Sequence, residues 1–301
     1  MKLNTRILAG ILCFVSSFGA LGTAHAKSAT LEKIRDTGTL TLGYRESSVP
    51  FSYLGTGQKP VGFSMDLCAA VADHVKKALN LPNLKVATIP VSPANRIPLL
   101  QNGTIDIECG STTNTADRQK QVAFSVAIFA GAPTWVTLAS SNIRAQSDLR
   151  GKTVVLTQGS LNQGIAAQTN VDDKLGLTIL QTKDHAESLL MLRTGRATAW
   201  FEDNILEAGL VSSAPDPKAF RYVENPRVPI YYYGLMLAKG DPEFKALVDD
   251  TLKSLMSSGE FKQRYLKWFT QPIPPNGQNL ALPMGAALEK RVASPSDSLD
   301  P

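Results

Sequence analysis

The most constraining feature of this sequence is a regular alternation of strand and helix patterns near its start. Residues 39–44, 86–91 and 105–109 have the apolar patterns of short strands. Between them, residues 64–79 place apolar side chains at i, i+3 and i+4, and residues 95–101 form a shorter helical pattern. Three strands separated by two helices predict a parallel sheet with right-handed crossovers, as in α/β folds.

The same alternation restarts further along the chain. Strand patterns at 153–156, 177–180 and 197–201 are separated by helical patterns near 162–168 and 184–193. A chain of 301 residues, 43% of them apolar, is long enough for two lobes that each bury a core. We therefore predict two α/β lobes, with the second inserted into the first.

Such an insertion needs two connecting strands, which we assign to Trp135–Ala139 and Tyr231–Ala238. A cleft between two lobes is a preferred place for a small ligand. The predicted division is a first lobe of residues 27–137 and 233–270, a second lobe of residues 138–232, and a C-terminal segment, 271–301, that packs on the first lobe or is partly disordered.

Residues 1–26 have the composition of a secretory signal peptide. Lys2 and Arg6 supply its positive start, residues 7–21 its apolar run, and Ala24-His25-Ala26 its small-residue cleavage site. We expect cleavage after Ala26 and a mature protein in the periplasm. No later stretch of the sequence is long and apolar enough to cross a membrane.

Charge, histidines and cysteines narrow the function of the mature chain. Of 31 basic residues, 29 remain without the signal peptide, against 26 acidic ones, and no basic run suggests a nucleic-acid partner. His74 and His185 alone do not form a metal-binding cluster, so we expect no metal and no cofactor. An oxidising compartment permits a disulfide between Cys68 and Cys109, and two buried free thiols are the alternative that the sequence leaves open.

An arginine after a hydroxyl-rich loop marks the candidate binding site. The predicted strand at 105–109 runs into Gly110-Ser111-Thr112-Thr113, and Arg118 follows at a helix start opened by Thr115. Backbone N–H groups, hydroxyls and a guanidinium in this order are suited to a small carboxylate. Because functional groups gather at the carboxyl ends of parallel strands, the loop that begins at Arg45 should face the same cleft.

Several strings resemble the periplasmic solute-binding proteins for polar amino acids, family 3 of the binding proteins of ABC transporters. Arg45–Tyr53 and Gly62–Leu67 resemble the opening lobe of that family. The resemblance covers essentially all of the mature chain and implies a two-lobed, type II (Venus-flytrap) α/β fold with parallel-rich sheets and two hinge strands. Strings that resemble the glutamate/aspartate branch in particular are Asn95–Thr104, Glu108–Asn114, Lys183–His185 and Lys267–Phe269.

The resemblance implies roles for residues that bind the amino-acid backbone of a ligand. Arg118, together with Ser111 and Thr113, corresponds to the clamp on the α-carboxylate. Asp203, at a strand end in the second lobe, corresponds to the acid that meets the ammonium group. Ser160 and the N–H groups after it are placed to meet the α-carboxylate from the second lobe.

Arg45 and Arg96 are the remaining arginines on loops directed at the cleft. A buried guanidinium demands an anion, and a second carboxylate on the ligand would supply one. This favours L-glutamate or L-aspartate, with His185 as a further donor to the side-chain carboxylate. Ser92 must carry any polar contact of its loop, because Pro93 has none to offer.

Each of these residues has a plainer alternative role. Arg45 could pair with Glu46 or another acid at the rim, and Arg96 with an acid at a helix end. His185, Asp203 and Ser160 could simply cap the helices that follow them.

The function predicted from the sequence is a monomeric binding protein that closes on an acidic amino acid and delivers it to a membrane permease. The alternative is an enzyme that resembles cyclohexadienyl dehydratases, with Glu202 or Glu46 as general acid. No nucleophile–base pair or other catalytic constellation supports that alternative. The choice between glutamate and aspartate stays open, as does the effect of Pro93 and Asn204 on specificity.

Overall fold

Fifteen strands and ten α-helices make up residues 27–225 and 228–300, the part of the chain that the computed structural model describes. The strands are β1 (Thr39–Tyr44), β2 (Ser47–Ser48), β3 (Ser52–Leu54), β4 (Pro60–Val61), β5 (Lys85–Pro90), β6 (Ile107–Glu108), β7 (Ala123–Phe124), β8 (Phe129–Gly131), β9 (Pro133–Leu138), β10 (Thr153–Thr157), β11 (Thr178–Thr182), β12 (Ala199–Asp203), β13 (Phe220–Glu224), β14 (Tyr231–Tyr233) and β15 (Met236–Leu237). The helices are α1 (Ala29–Thr37), α2 (Phe63–Ala78), α3 (Arg96–Gln101), α4 (Ala116–Gln119), α5 (Leu161–Asp172), α6 (His185–Arg193), α7 (Asn204–Val211), α8 (Pro242–Ser257), α9 (Glu260–Phe269) and α10 (Ala286–Ala293).

Two five-stranded sheets organise these elements. The first has the order β5–β1–β6–β15–β7, in which β1 pairs parallel with β5 and β6 while β15 runs antiparallel to β6 and β7. The second has the order β11–β10–β12–β9–β13, in which β10 pairs parallel with β11 and β12 while β9 runs antiparallel to β12 and β13. We call the elements around these sheets the first and second lobes, and they form the two-lobed α/β fold predicted from the sequence.

Local signals in the sequence explain how the first lobe begins. Ser28 opens α1, since its side chain accepts a hydrogen bond from the backbone N–H of Leu31. Gly38 ends the helix with a φ of 61°, a left-handed conformation that glycine adopts without strain. The apolar face of α2, which includes Leu67 and Val71, is fully buried against the first sheet and forms one core with α8 and α9.

A disulfide joins the first helix after the opening loop to the centre of the first sheet. Cys68 lies on the buried face of α2, Cys109 follows β6, and the two are bonded in the structure. The structure therefore decides the question that the sequence left open.

The connection between the lobes differs from the prediction. The paired strands β8 and β14 carry the chain between the two sheets, whereas β9 lies inside the second sheet. The assignment of Trp135–Ala139 as a connecting strand is therefore wrong, and so is the lobe boundary after residue 137, because the second sheet already begins at Pro133. The periodicity of β9 shows that it is buried, but it cannot show which strands it pairs with.

The C-terminal segment packs on the first lobe and on the connection. The backbone N–H of Ala127 donates to the carbonyl oxygen of Ser296 at 2.9 Å, and the Asn114 side-chain amide donates to that of Asp297 at 2.9 Å. The Arg291 guanidinium lies 4.3 Å from the centroid of the Tyr232 ring on β14. In the ranges described, no helix has both the length and the hydrophobicity that a membrane crossing requires.

Gly209 of α7 lies at a close approach between the lobes, because a Cβ atom there would lie 2.2 Å from the Val49 carbonyl oxygen. We expect Gly209→Ala to lower the free energy of unfolding by about 1–3 kcal/mol, through overpacking against the backbone. Gly164→Ala in α5 is the matched control, since its Cβ would meet no atom within 4 Å. The control should gain up to about 1 kcal/mol from helix propensity. Urea unfolding of both variants measures the difference, and equal stabilisation of the two would contradict the prediction.

Candidate functional site

The candidate residues lie where the carboxyl ends of six strands face each other across the lobes. Loops after β1, β5 and β6 come from the first lobe, and loops after β10, β11 and β12 come from the second. Hydrogen bonds already bridge the lobes there: Ser48 Oγ lies 3.3 Å from His185 Nδ1, and Arg118 donates to the Gly159 carbonyl oxygen at 3.3 Å. The strand-end argument thus brought distant parts of the sequence to one cleft.

Arg45 crosses the cleft from the end of β1. Its side chain is 1% exposed, and its Nη2 lies 3.0 Å from Oδ2 of Asp184 in the second lobe. Asp184 also caps α6, because its Oδ1 accepts from the backbone N–H of His185 at 2.6 Å. Arg45 therefore has a carboxylate partner within the protein, which was the alternative considered from the sequence. The partner is Asp184 and not Glu46, which is exposed. The Nε atom of Arg45 is buried and has no hydrogen-bond partner in the described chain.

Arg96 belongs to a buried polar chain in the first lobe. It donates through Nη1 to the Thr112 hydroxyl, which in turn donates to Glu108 Oε2 at 2.7 Å. The Nη1 atom also lies 3.8 Å from Glu108 Oε1, while Nε is buried without a partner among the described residues. Burial lowers the pKa of Arg96 to about 9; Glu108 raises it, and the charges of Arg118 and Arg45 lower it further. Three guanidinium groups therefore share one small region.

The loop before α4 positions Arg118 as its sequence predicts. Thr115 caps the helix by accepting from the Arg118 backbone N–H at 3.3 Å. The guanidinium donates to the Thr113 carbonyl oxygen at 2.9 Å, so Arg118 folds back over its own loop. Ser111 and Thr113 are both buried on that loop. Thr113 also pairs with Tyr233, which ties the loop to the connecting strand β14.

Asp203 stands opposite, at the end of β12, and each of its carboxylate oxygens accepts a hydrogen bond. Its Oδ1 accepts from Asn162 Nδ2 at 3.1 Å and its Oδ2 from the Tyr233 hydroxyl. It occupies the N-cap position of α7, but its side chain makes no capping hydrogen bond. Burial raises the pKa of Asp203, and the hydrogen bonds from Tyr233 and Asn162 oppose that rise.

Glu202 adds a second buried acid beside Asp203. Its Oε1 accepts from Asn162 Nδ2 and from the backbone N–H of Asp203, the latter at 3.1 Å. Burial, followed by the charge of Asp203, raises the pKa of Glu202 to about 8. A third acid, Glu207, accepts from the Glu202 backbone N–H at 3.1 Å and from the Thr134 hydroxyl at 2.5 Å.

His185 is buried between the lobes and is not merely a helix cap. Its ring approaches Ser48 on one side, and its Nε2 lies 3.6 Å from Glu202 Oε2 on the other. Burial, together with the charge of Arg45, lowers the pKa of the imidazole to about 3. The ring is therefore neutral at physiological pH and offers one donor and one acceptor.

The two candidate serines differ in their surroundings. Ser160 precedes α5 without capping it, and its Oγ is buried with no hydrogen-bond partner among residues 27–225 and 228–300. Ser92 instead turns toward Asn95: its Oγ accepts from the Asn95 backbone N–H at 3.3 Å. The structure thus leaves Ser160 with a free hydroxyl and gives Ser92 a local role in the turn before α3.

Sequence reasoning missed several polar residues that complete this region. Glu108 and Glu207 are buried acids, but nothing in the periodicity of the sequence distinguishes them from exposed acids. The partner of a carboxylate lies far away in sequence, which hides such networks from local patterns. The missed residues are Glu108, Thr112, Asn162, Asp184, Glu207 and Tyr233.

The sequence between residues 40 and 271 matches the bacterial extracellular solute-binding proteins, family 3, and the chain belongs to this family. It is 46% identical over 296 residues to the L-glutamate/L-aspartate-binding protein of Pseudomonas aeruginosa, covering 98% of this chain and 96% of that protein. It is 43% identical over 282 residues to the glutamate/aspartate import solute-binding protein of Salmonella typhimurium, covering 92% and 93%.

A solved structure extends the comparison to the fold. The crystal structure of an ancestral amino acid-binding protein, a precursor of cyclohexadienyl dehydratase, matches with a TM-score of 0.69 at 26% identity. The match covers 80% of this chain and 100% of that one. The two-lobed binding-protein fold predicted from the sequence is confirmed.

Proposed function

We propose that this chain is the extracytoplasmic substrate-binding component of an ABC transporter for the acidic amino acids L-glutamate and L-aspartate. It binds the ligand between the lobes and passes it to a membrane permease. The observation that carries the proposal is the meeting of three arginines with a buried aspartate between the lobes. Such a set matches a molecule with two carboxylates and one ammonium group. The names of the two relatives point to the same ligands.

The backbone groups of the ligand are assigned to Arg118 and Asp203. Arg118, with Ser111 and Thr113, binds the α-carboxylate, which the free hydroxyl of Ser160 meets from the second lobe. Asp203 accepts from the α-ammonium group and keeps its negative charge through the donors Tyr233 and Asn162.

The side-chain carboxylate of the ligand is assigned to Arg45, Arg96 and His185. Arg45 and Arg96 each have a carboxylate partner within the protein, so the sequence argument that both lack an anion does not hold as stated. Both arginines can still donate further hydrogen bonds, because their buried Nε atoms have no partner among the described residues. A ligand carboxylate would accept from such donors and remove the cost of leaving them unpaired.

Closure of the lobes follows from the way they are joined. The antiparallel pair β8–β14 is the hinge, and contacts from both lobes to one ligand stabilise the closed state. The chain acts by binding and release and is not an enzyme. Glu46, one of the acids considered for a dehydratase, is exposed and pairs with no group in the cleft that the structure describes.

The location and assembly of the protein complete the proposal. The family is extracellular, and we place this member in the periplasm after removal of residues 1–26, which lie outside the described part of the chain. It works as a monomer that meets its permease, and it has no nucleic-acid partner.

The selectivity of the site rests on Arg96, so Arg96→Ala should weaken L-glutamate binding by about 30-fold or more. Binding of L-glutamine, which lacks the second carboxylate, should change far less. Calorimetric titration of the ligand-stripped mature protein with L-glutamate, L-aspartate and L-glutamine measures both effects, and unfolding curves check that the variant is folded. Equal loss for glutamate and glutamine would contradict the assignment of Arg96, whereas failure of the parent to bind either acid would overturn the proposed function. Turnover of prephenate would place the protein among the enzymes.

A further inference from the structure

Glu202 has a buried oxygen that the proposed ligand contacts do not use. Its side chain is 2% exposed, and its Oε1 already accepts from Asn162 and from the Asp203 backbone. Its Oε2 has no hydrogen-bond partner in the described chain and lies 3.6 Å from His185 Nε2. A buried carboxyl oxygen without a hydrogen bond is costly, so Oε2 has the capacity for one further hydrogen bond.

The position of this oxygen points to the side-chain carboxylate of the ligand. His185 is the residue assigned to that carboxylate, and Glu202 Oε2 sits beside its ring. A ligand carboxylate at His185 would therefore meet a second carboxyl group. Two carboxylates at hydrogen-bond distance cannot both stay ionised, but they form a strong hydrogen bond when they share one proton.

The surroundings of Glu202 decide which acid holds that proton. The Nδ2 atom of Asn162 donates to Glu202 and to Asp203 alike, which places these two acids side by side. Asp203 receives a second hydrogen bond from Tyr233 and pairs with the ligand ammonium group, so of the two acids it ionises more readily. Several titratable and charged groups surround Glu202, and α5 contributes only the neutral Asn162. They are Asp203 on β12, Glu207 on α7, Tyr233 on β14, Asp184 and His185 before and on α6, and Arg45, Arg96 and Arg118 of the first lobe.

Two of the arginines in this set have acidic partners other than Glu202, although the charge of Arg45 still lowers the pKa of Glu202 somewhat. Arg45 pairs with Asp184 and Arg96 with Glu108, so neither is held by Glu202. His185 is neutral, because burial lowers its pKa to about 3. Burial and the neighbouring Asp203 raise the pKa of Glu202 to about 8, which agrees with a group that is easily protonated.

We propose that Glu202 is a further ligand-contacting residue, which donates a hydrogen bond from Oε2 to the side-chain carboxylate of the bound amino acid. At pH values where Glu202 is ionised in the free protein, capture of an acidic amino acid then adds one proton from the solvent to its carboxylate. The inference rests on the proposed function, because it needs a ligand carboxylate beside His185. It also gives the site a second reason to prefer L-glutamate over L-glutamine. The side-chain amide of glutamine is uncharged, so it gains less from a protonated Glu202 than a carboxylate does.

The inference predicts a specific pH dependence. The affinity for L-glutamate should fall as pH rises above about 8, by up to about tenfold per pH unit, because one proton must be bound with the ligand. Calorimetric titrations of the mature protein in phosphate and in Tris, which have different ionisation enthalpies, count the protons taken up. At about pH 8.5 the parent should take up at least about half a proton per glutamate.

Variants separate Glu202 from its neighbours. Glu202→Gln carries a permanent donor, so it should take up no proton and should lose the fall in affinity above about pH 8. Glu207→Gln is the matched control, because both oxygens of this buried acid already have partners within the protein. It should show the same proton uptake as the parent.

Three outcomes would overturn the inference. Proton uptake below about a tenth at every pH, measured on the parent protein, does so without any variant. Proton uptake in Glu202→Gln equal to that of the parent would assign the proton to another group. If the protein does not bind glutamate at all, the proposed function is overturned as well. If it binds glutamate without proton uptake, only the role of Glu202 is overturned.

Discussion

Replacing Arg118 by alanine is expected to weaken the binding of L-glutamate and of L-aspartate by about 100- to 1,000-fold, because truncating one partner of a buried, hydrogen-bonded charge pair typically costs 2–5 kcal/mol or more. Arg118 is the group assigned to the α-carboxylate, which every amino acid has, so L-glutamine should lose affinity to a similar extent. This separates Arg118 from Arg96, whose loss should affect only ligands with a second carboxylate. Calorimetric titration gives all of these dissociation constants.

The contacts of Arg118 differ from those of the other two arginines. Its guanidinium donates to the carbonyl oxygens of Thr113 in the first lobe and Gly159 in the second, so it lies at the junction of the two lobes. The matched control is Arg193→Ala, which removes an exposed arginine from the last turn of α6. The control should bind like the parent, and a loss below about fivefold in Arg118→Ala would contradict the carboxylate clamp.

Removal of the Cys68–Cys109 disulfide is expected to lower the free energy of unfolding by about 4 kcal/mol. The bond closes a loop with a sequence separation of 41, and it restricts the unfolded chain more than the folded one. Both cysteines are fully buried, in α2 and directly after β6, so the bond also fastens a helix of the first lobe to its sheet.

Denaturant unfolding of the parent and of the double variant Cys68→Ala/Cys109→Ala measures this contribution. Addition of a reductant should destabilise the parent and leave the double variant unchanged, which separates the bond from the loss of two sulfur atoms. A difference below about 1 kcal/mol between parent and variant would show that the bond does not restrict the unfolded chain as expected.

Strand ends were the most informative signal in the sequence. Arg45, Arg118 and Asp203 come from distant parts of the chain, and the rule that parallel strands share a functional edge brought them together correctly. Ser28 and Gly38 likewise cap α1 in the structure, and such cap residues are visible in a sequence. These signals are local, so the sequence displays them directly.

Pairings between distant residues were beyond the reach of the same reasoning. The apolar pattern of β9 fits a connecting strand and a central strand equally, since both are buried on two faces. Asp184 and Glu108 were not expected as partners of Arg45 and Arg96, because the partner of a buried charge depends on the packing of the whole fold. The disulfide was undecided for the same reason, since it depends on a distance in space.

The C-terminal segment offers a practical handle for watching the lobes move. Leu299 lies at a surface cavity that Tyr231 and Tyr232 of the hinge also line. Cys68 and Cys109 are bonded to each other, so a cysteine introduced at Leu299 would be the one free thiol among residues 27–225 and 228–300. A dye coupled there would stand beside the pivot and outside the cleft. The end of the chain is therefore a suitable attachment point for an optical sensor of the ligand.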